Sequence, residues 1–192
     1  MPTPFLLNGI LASQISGHLY AGPAGAFDAL GSVTVGSGGQ SSITFSAIPQ
    51  TYTHLQIRYF VRNSGSGTIN DFNILLNSDS SSSAYYQHRM YGDGGSAVAQ
   101  ANSGVSGIGF LAGGGATSGV FAAGVVDILD YTNTGKNKTI RSLSGSDNNS
   151  NGYVAMYSVL RQDTTPLTSI VLKDNGGTNI AQYSNISLYG IR

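Results

Sequence analysis

A chain of 192 residues is long enough for one domain whose core hides roughly 70% of the surface exposed on unfolding, and too short for two full domains. Nine Lys and Arg balance nine acidic residues, all aspartate, and charged residues make up 9% of the chain against ~25% in an ordinary soluble domain. A net charge of +0 argues against a nucleic-acid partner, no cluster of Lys and Arg occurs in the sequence, and the absence of cysteine excludes disulfides, thiolate metal sites and a cysteine nucleophile.

Residues 1–28 differ in pattern from the rest. In "FLLNGILASQISGHLYAGPAGAF", Leu7, Leu11, Ile15 and Leu19 recur at four-residue steps, which predicts a short helical stripe weakened by Gly9 and Gly17. "YAGPAG" then reads as a linker. The segment is expected to be an arm that grips a partner or a flap packed on its own core. No basic residue precedes the apolar run and no small-residue cleavage site follows it, so no secretory signal is expected. No run reaches the ~18 apolar residues of a membrane span.

From Leu30 onward the period is two. "HLQIRYFVR" sets Leu55, Ile57, Tyr59 and Val61 against His54, Gln56, Arg58, Phe60 and Arg62, the mark of a half-buried strand. "DFNILLN" alternates in the same way. In "NSDSSSSAYYQHRMYGDGG" the serines read as a loop and "YYQHRMY" as a strand on which His88 and Arg89 face apart. "GVFAAGVVDILDYTN" is apolar on both faces, as expected of a central strand covered on both sides. "TSIVLKD" resumes the alternation, and "DNGG" after it is a hairpin signal. With lysine scarce and glutamate missing, solvent-facing helices lack their usual residues. About nine to eleven short strands with Gly, Ser and Asn turns therefore predict an all-β, antiparallel β-sandwich or jelly roll over residues 29–192, with a short N-terminal arm over 1–28.

Catalytic and metal chemistry find little footing. Asp79, Ser81 and Ser83 alternate as a calcium loop would, but such a loop requires more carboxylates and a bidentate glutamate. No G-x-S-x-G elbow accompanies the serines. Asp127 and Asp130 lie in one strand at a spacing that turns them to opposite sides, unlike a glycosidase pair. The glycines of "GIGFLAGGG" lack any phosphate-loop signature and read as tight turns or close strand packing. His54, Arg58 and Arg62, with Phe60 among them, form the remaining polar constellation. It is read as a protein interface, a sugar-binding face or a solvated sheet surface.

The stretches "LGSVTVGSGGQSSITFSAIPQTYTHLQIRYFVRN", "LLNSDSSSSAYYQHRMYGDGGS", "VDILDYTNTGKNKTIRSLSG" and "AQYSNISLYGIR" together resemble virion structural proteins of tailed bacteriophages, particularly those of cyanobacteria and other aquatic bacteria. "ILASQISGHL" is similar to the leader in front of such domains. The resemblance implies a jelly-roll subunit of the virion, either a capsid decoration (cement) protein or a tail fibre or adhesin, and transfers no catalytic residue. A small chain with one domain and no shaft or repeat fits the cement protein. The expected protein is not an enzyme and takes no cofactor and no metal. Its expected partners are the major capsid protein and itself, as a homotrimer, with no nucleic acid and no membrane. A host glycan enters only in the adhesin alternative. Its expected place is the capsid surface after assembly in the host cytoplasm, where disulfides are disfavoured. Contacts are expected from Phe5, Leu7, Leu11 and Ile15 of the arm, and from Arg58, Phe60, Arg62, Tyr85, Tyr86 and His88 of the sheet.

Overall fold

The computed structural model describes residues 25–104, 106–149 and 151–192. Most of the expected arm, with Phe5, Leu7, Leu11 and Ile15, lies outside the described residues. The strands are β1 (Phe27–Thr34), β2 (Ile43–Phe45), β3 (His54–Val61), β4 (Ile69–Leu76), β5 (Tyr85–Gly92), β6 (Ala97–Ser103), β7 (Gly107–Ala112), β8 (Ala122–Leu129), β9 (Lys138–Asn148), β10 (Asn151–Arg161), β11 (Ile170–Asp174) and β12 (Asn185–Ile191). A 3-10 turn at Ser82–Ala84 is the sole helical element among the described residues.

The alternation seen in the sequence folds into an antiparallel β-sandwich. β1 pairs with β12, β2 with β11, β3 with β8 and β4 with β7, all antiparallel. These nested pairs give two four-stranded layers, β1-β12-β3-β8 and β2-β11-β4-β7, with the chain crossing between layers from β1 through β5. That winding is a jelly roll. The hairpins β9-β10 and β5-β6 then extend the first layer to an eight-stranded sheet in the order β1-β12-β3-β8-β9-β10-β5-β6.

The core lies between the layers. Leu55, Ile57 and Val61 of β3 are fully buried, as are Val126 and Ile128 of β8, and they meet Phe72, Ile74, Leu76, Ile170 and Leu172 of the smaller sheet. Burial at this density is the main favourable term holding the layers together, at roughly 25 cal/mol per Å² of apolar surface removed from water. Lys138 and Arg161, paired in register at one end of the β9-β10 hairpin, are also buried. The Lys138 amine donates to the carbonyls of Asn133, Lys136 and Thr164, and burial holds its pKa below the ordinary lysine range. Arg161 pairs with Asp79 at 3.2 Å and Asp163 at 2.6 Å.

Two local expectations are corrected. "DNGG" makes a turn with Gly177 at φ 75°, but the chain leaving it crosses to the other sheet instead of forming a hairpin. The Asp174 carboxylate directs this crossing by accepting from Thr178 and from the buried Asn63 amide. β8 is central, yet the described residues cover only its inner face. Ala123 and Val125 point outward, where no second layer lies over them.

Candidate functional site: the open face of the larger sheet

The outer face of the eight-stranded sheet is built by residues alternate to the core set. Cross-strand register aligns Ala99, Met90, Met156, Leu143, Val125 and Arg58 in one row running from β6 to β3. The adjacent row reads Ala97, Gly92, Val154, Gly145, Ala123 and Phe60. Directly opposed side chains in neighbouring strands touch, so Ala99 to Val125 form a continuous apolar band, while the adjacent row is broken by Gly92 and Gly145. Met90 and Val154 are each 64% exposed, Met156 60% and Leu143 51%. Small residues at 92, 97, 99, 123 and 145 leave Val154 standing between two glycines.

Beside the methionines the sheet forms a groove of about 810 Å³ with a floor of Met90, Leu143, Met156 and Val125. Its polar border is the next row: His88, Ser158, Arg141 and Asp127. Asp127 is engaged, accepting from Gln56 Nε2 at 2.9 Å, and Gln56 in turn accepts from Arg58 Nε at 2.9 Å. The Arg58 guanidinium also lies 5.4 Å from the Phe27 ring and 5.2 Å from the Tyr189 ring. Phe60 stacks on Phe121 at 4.9 Å.

Of the residues that sequence reasoning assigned to contacts, Arg58, Phe60, Tyr86 and His88 stand exposed on this outer face. His88 and Arg89 do face apart. Tyr85 does not belong with them: it is 2% exposed and points into the core, with its hydroxyl accepting from Leu76 N and donating to Asp79 O. Burial raises its pKa. Arg62 is also redirected. Past the end of β3 its fork donates to the carbonyls of Gly114, Ala116, Thr117 and Val120, at 2.8 to 3.0 Å, and so clamps the β7-β8 loop. Arg62→Ala is expected to lower stability by about 1–3 kcal/mol and to speed amide exchange at residues 113–120, which hydrogen-exchange mass spectrometry reads. Arg62→Lys should fail to rescue, since an ammonium has no planar fork for four acceptors.

Sequence reasoning missed Met90, Leu143, Val154 and Met156. The available signal was "YVAMYSVL", in which both alternating sets are apolar, so neither set is committed to water.

A second cleft of about 430 Å³ opens between the sheets beside β4 and β7, lined by Asp71, Arg89, Tyr91, Phe110 and Tyr153. Arg89 Nη1 meets Asp71 at 3.0 Å. Burial works against the charge on Arg89, but the Asp71 carboxylate and the Tyr157 hydroxyl together outweigh it and the pKa is raised. Elsewhere the carboxylates of Asp79 and Asp130 are already occupied. Asp79 binds Arg161 and Ser81 N, which leaves the serine loop a structural tie. Asp130 pairs with Lys136 at 2.8 Å, which holds its pKa below the usual carboxylate range. Among the described residues no three carboxylates or imidazoles gather at metal-binding distance. "GIGFLA" in β7 is close strand packing, with every residue buried.

No protein-family profile matches the sequence, and no curated protein matches it. A solved structure, "Structure of CBM35 from Paenibacillus barcinonensis", is 12% identical, with 85% of this chain and 92% of that chain covered. Its TM-score of 0.23 is too low to support an inference about fold or ligand.

Proposed function

We propose that this protein is a virion structural subunit, a capsid decoration protein that binds its neighbours through the outer face of the larger sheet. The observation that carries the reading is the segregation of exposed apolar bulk. Among the described residues, Phe27, Phe60, Tyr86, Met90, Leu143, Val154 and Met156 are the large hydrophobics exposed on this one face, and Tyr183 alone lies elsewhere. Scattered exposed hydrophobics are ordinary, whereas a contiguous apolar band bordered by polar residues marks a surface that protein covers. The near absence of charge fits burial among many copies, and the resemblance to phage virion proteins supplies the kind of assembly. The major capsid protein and further copies of this chain, as a trimer, are the proposed partners.

The adhesin alternative rests on a different feature. Tyr91 and Tyr153 beside Asp71 and Arg89 combine rings with planar polar groups, a set that suits sugars. The larger groove does not, since its floor is aliphatic and thioether. Quantifying the protein in purified particles and locating it by electron microscopy separates the readings. Copies comparable in number to the shell subunits, on the head, are expected. A few copies at the tail tip, with glycan binding lost in Tyr153→Ala, would replace the cement reading with the adhesin.

A further inference from the structure

We infer that two copies of this chain pair face to face through the outer side of the larger sheet, about a two-fold axis that runs along the strands between β9 and β10. The inference rests on reading this face as one that protein covers, names that protein as a second copy, and leaves three-fold contacts to other surfaces of the sandwich.

An axis along the strands sets every cross-strand row against the same row of the second copy, with its order reversed. The open face is carried by β6-β5-β10-β9-β8-β3, and the midline of these six strands falls between β10 and β9. β10 then lies over β9 of the second copy, β5 over β8 and β6 over β3. In sheets ~10 Å apart the facing side chains interdigitate, so bulk on one face needs room on the other. Reversal supplies that room. Val154 comes over Gly145 of the second copy, Phe60 over its Ala97, and Arg58 over its Ala99. Between them Met156 meets Leu143 and Met90 meets Val125, where flexible thioethers can turn into the groove beside them.

The polar row selects this axis over the other in-plane choice. From β6 to β8 it reads Ala101, His88, Ser158, Arg141 and Asp127. Reversal sets His88 against Asp127 of the second copy, twice in one pair, and Arg141 against the hydroxyl of Ser158. A two-fold axis along the methionine row would instead press Arg141 and Asp127 onto Gly145 and Ala123, where each charge would lose water and gain no partner across the interface.

Area and net charge agree with a second copy. Six strands at ~4.8 Å and the four rows from Tyr86 to Gly92, at ~6.7 Å, cover ~780 Å² on each copy, close to the ~800 Å² per partner that a standard stable interface buries. A net charge of +0 sets no long-range repulsion between identical chains.

The test uses the full chain, which has no cysteine of its own. Phe60→Cys and Ala97→Cys proteins, mixed, are expected to give a two-chain product carrying one of each under a short thiol-to-thiol crosslinker. Either variant alone is expected to lose that product, because like positions stand five inter-strand steps, ~24 Å, apart across the axis. Sedimentation of the full chain at ~10 μM is expected to show a dimer, which Val154→Asp weakens by about 100-fold or more and Thr44→Asp leaves intact. Equal product from mixed and unmixed variants, or none from either, overturns the pair. A trimer overturns it as well, because two-fold pairs cannot complete an odd number of copies. A monomer overturns it and gives the face to the capsid protein or to the chain's own N-terminal residues; if that monomer still occupies particles and Val154→Asp abolishes the occupancy, the virion reading stands without the pair. A dimer with the expected crosslink that is absent from particles leaves the pair standing, and the virion reading falls.

Discussion

Gly124→Val is expected to destabilise the sandwich by about 3 kcal/mol or more, a large share of the 5–15 kcal/mol that holds an ordinary domain folded. Gly124 of β8 sits directly opposite Tyr59 of β3, and a Cβ built at position 124 would overlap the Tyr59 ring. The ring cannot swing away. On the other side Gly109 of β7 approaches the Tyr59 hydroxyl, and Phe72 holds the ring edge-on at 5.0 Å. Tyr59 therefore fills a slot between the two sheets that exists only because both flanking residues lack side chains. Relief requires either expelling a buried aromatic or separating the sheets. Urea unfolding of Gly124→Ala, Tyr59→Leu and the double variant should give a coupling of about 1 kcal/mol or more, with the double variant losing less than the sum. A Gly124→Val protein within about 1 kcal/mol of the parent would refute the slot.

The same pair shows how far the sequence was legible. Tyr59 could be assigned to the inner face from the alternation of "HLQIRYFVR", because side-chain direction in a strand is a local property with period two. That it needs glycine at both 109 and 124 depends on strands 50 and 65 residues away, and no local pattern carries that information. Turns behave alike: "DNGG" specified a reversal of direction, but the destination was set by the remote Asn63 on the Asp174 carboxylate. Arg62 kept the parity of its strand in the sequence, whereas the clamp it makes depends on where the β7-β8 loop returns. The candidate site follows the same rule. The two-sided apolar character of "GVFAAGVVDILDYTN" was visible, and it predicted a cover on both faces. Among the described residues the fold supplies only the inner one, which converts a core expectation into an open face.

Val154→Asp is expected to reduce particle binding by about 100-fold or more, since an unpaired carboxylate buried in an interface costs several kcal/mol and each 1.4 kcal/mol is tenfold. Val154 stands between Gly92 and Gly145 and touches no core residue across its own strand pairs, so the sandwich itself has little to lose. Stability should fall by about 1 kcal/mol at most, the range of strand propensity. The residue lies one row away from the groove floor, on the open face of the larger sheet. Its loss therefore reads the contact with neighbours. Val154→Thr keeps the branched shape and should bind with a smaller deficit, and Thr44→Asp on the exposed side of β2 should bind as the parent does. Equal particle occupancy of Val154→Asp and Thr44→Asp would mean that neighbours do not cover this face, because a buried carboxylate cannot be indifferent to the side of the sandwich on which it is placed.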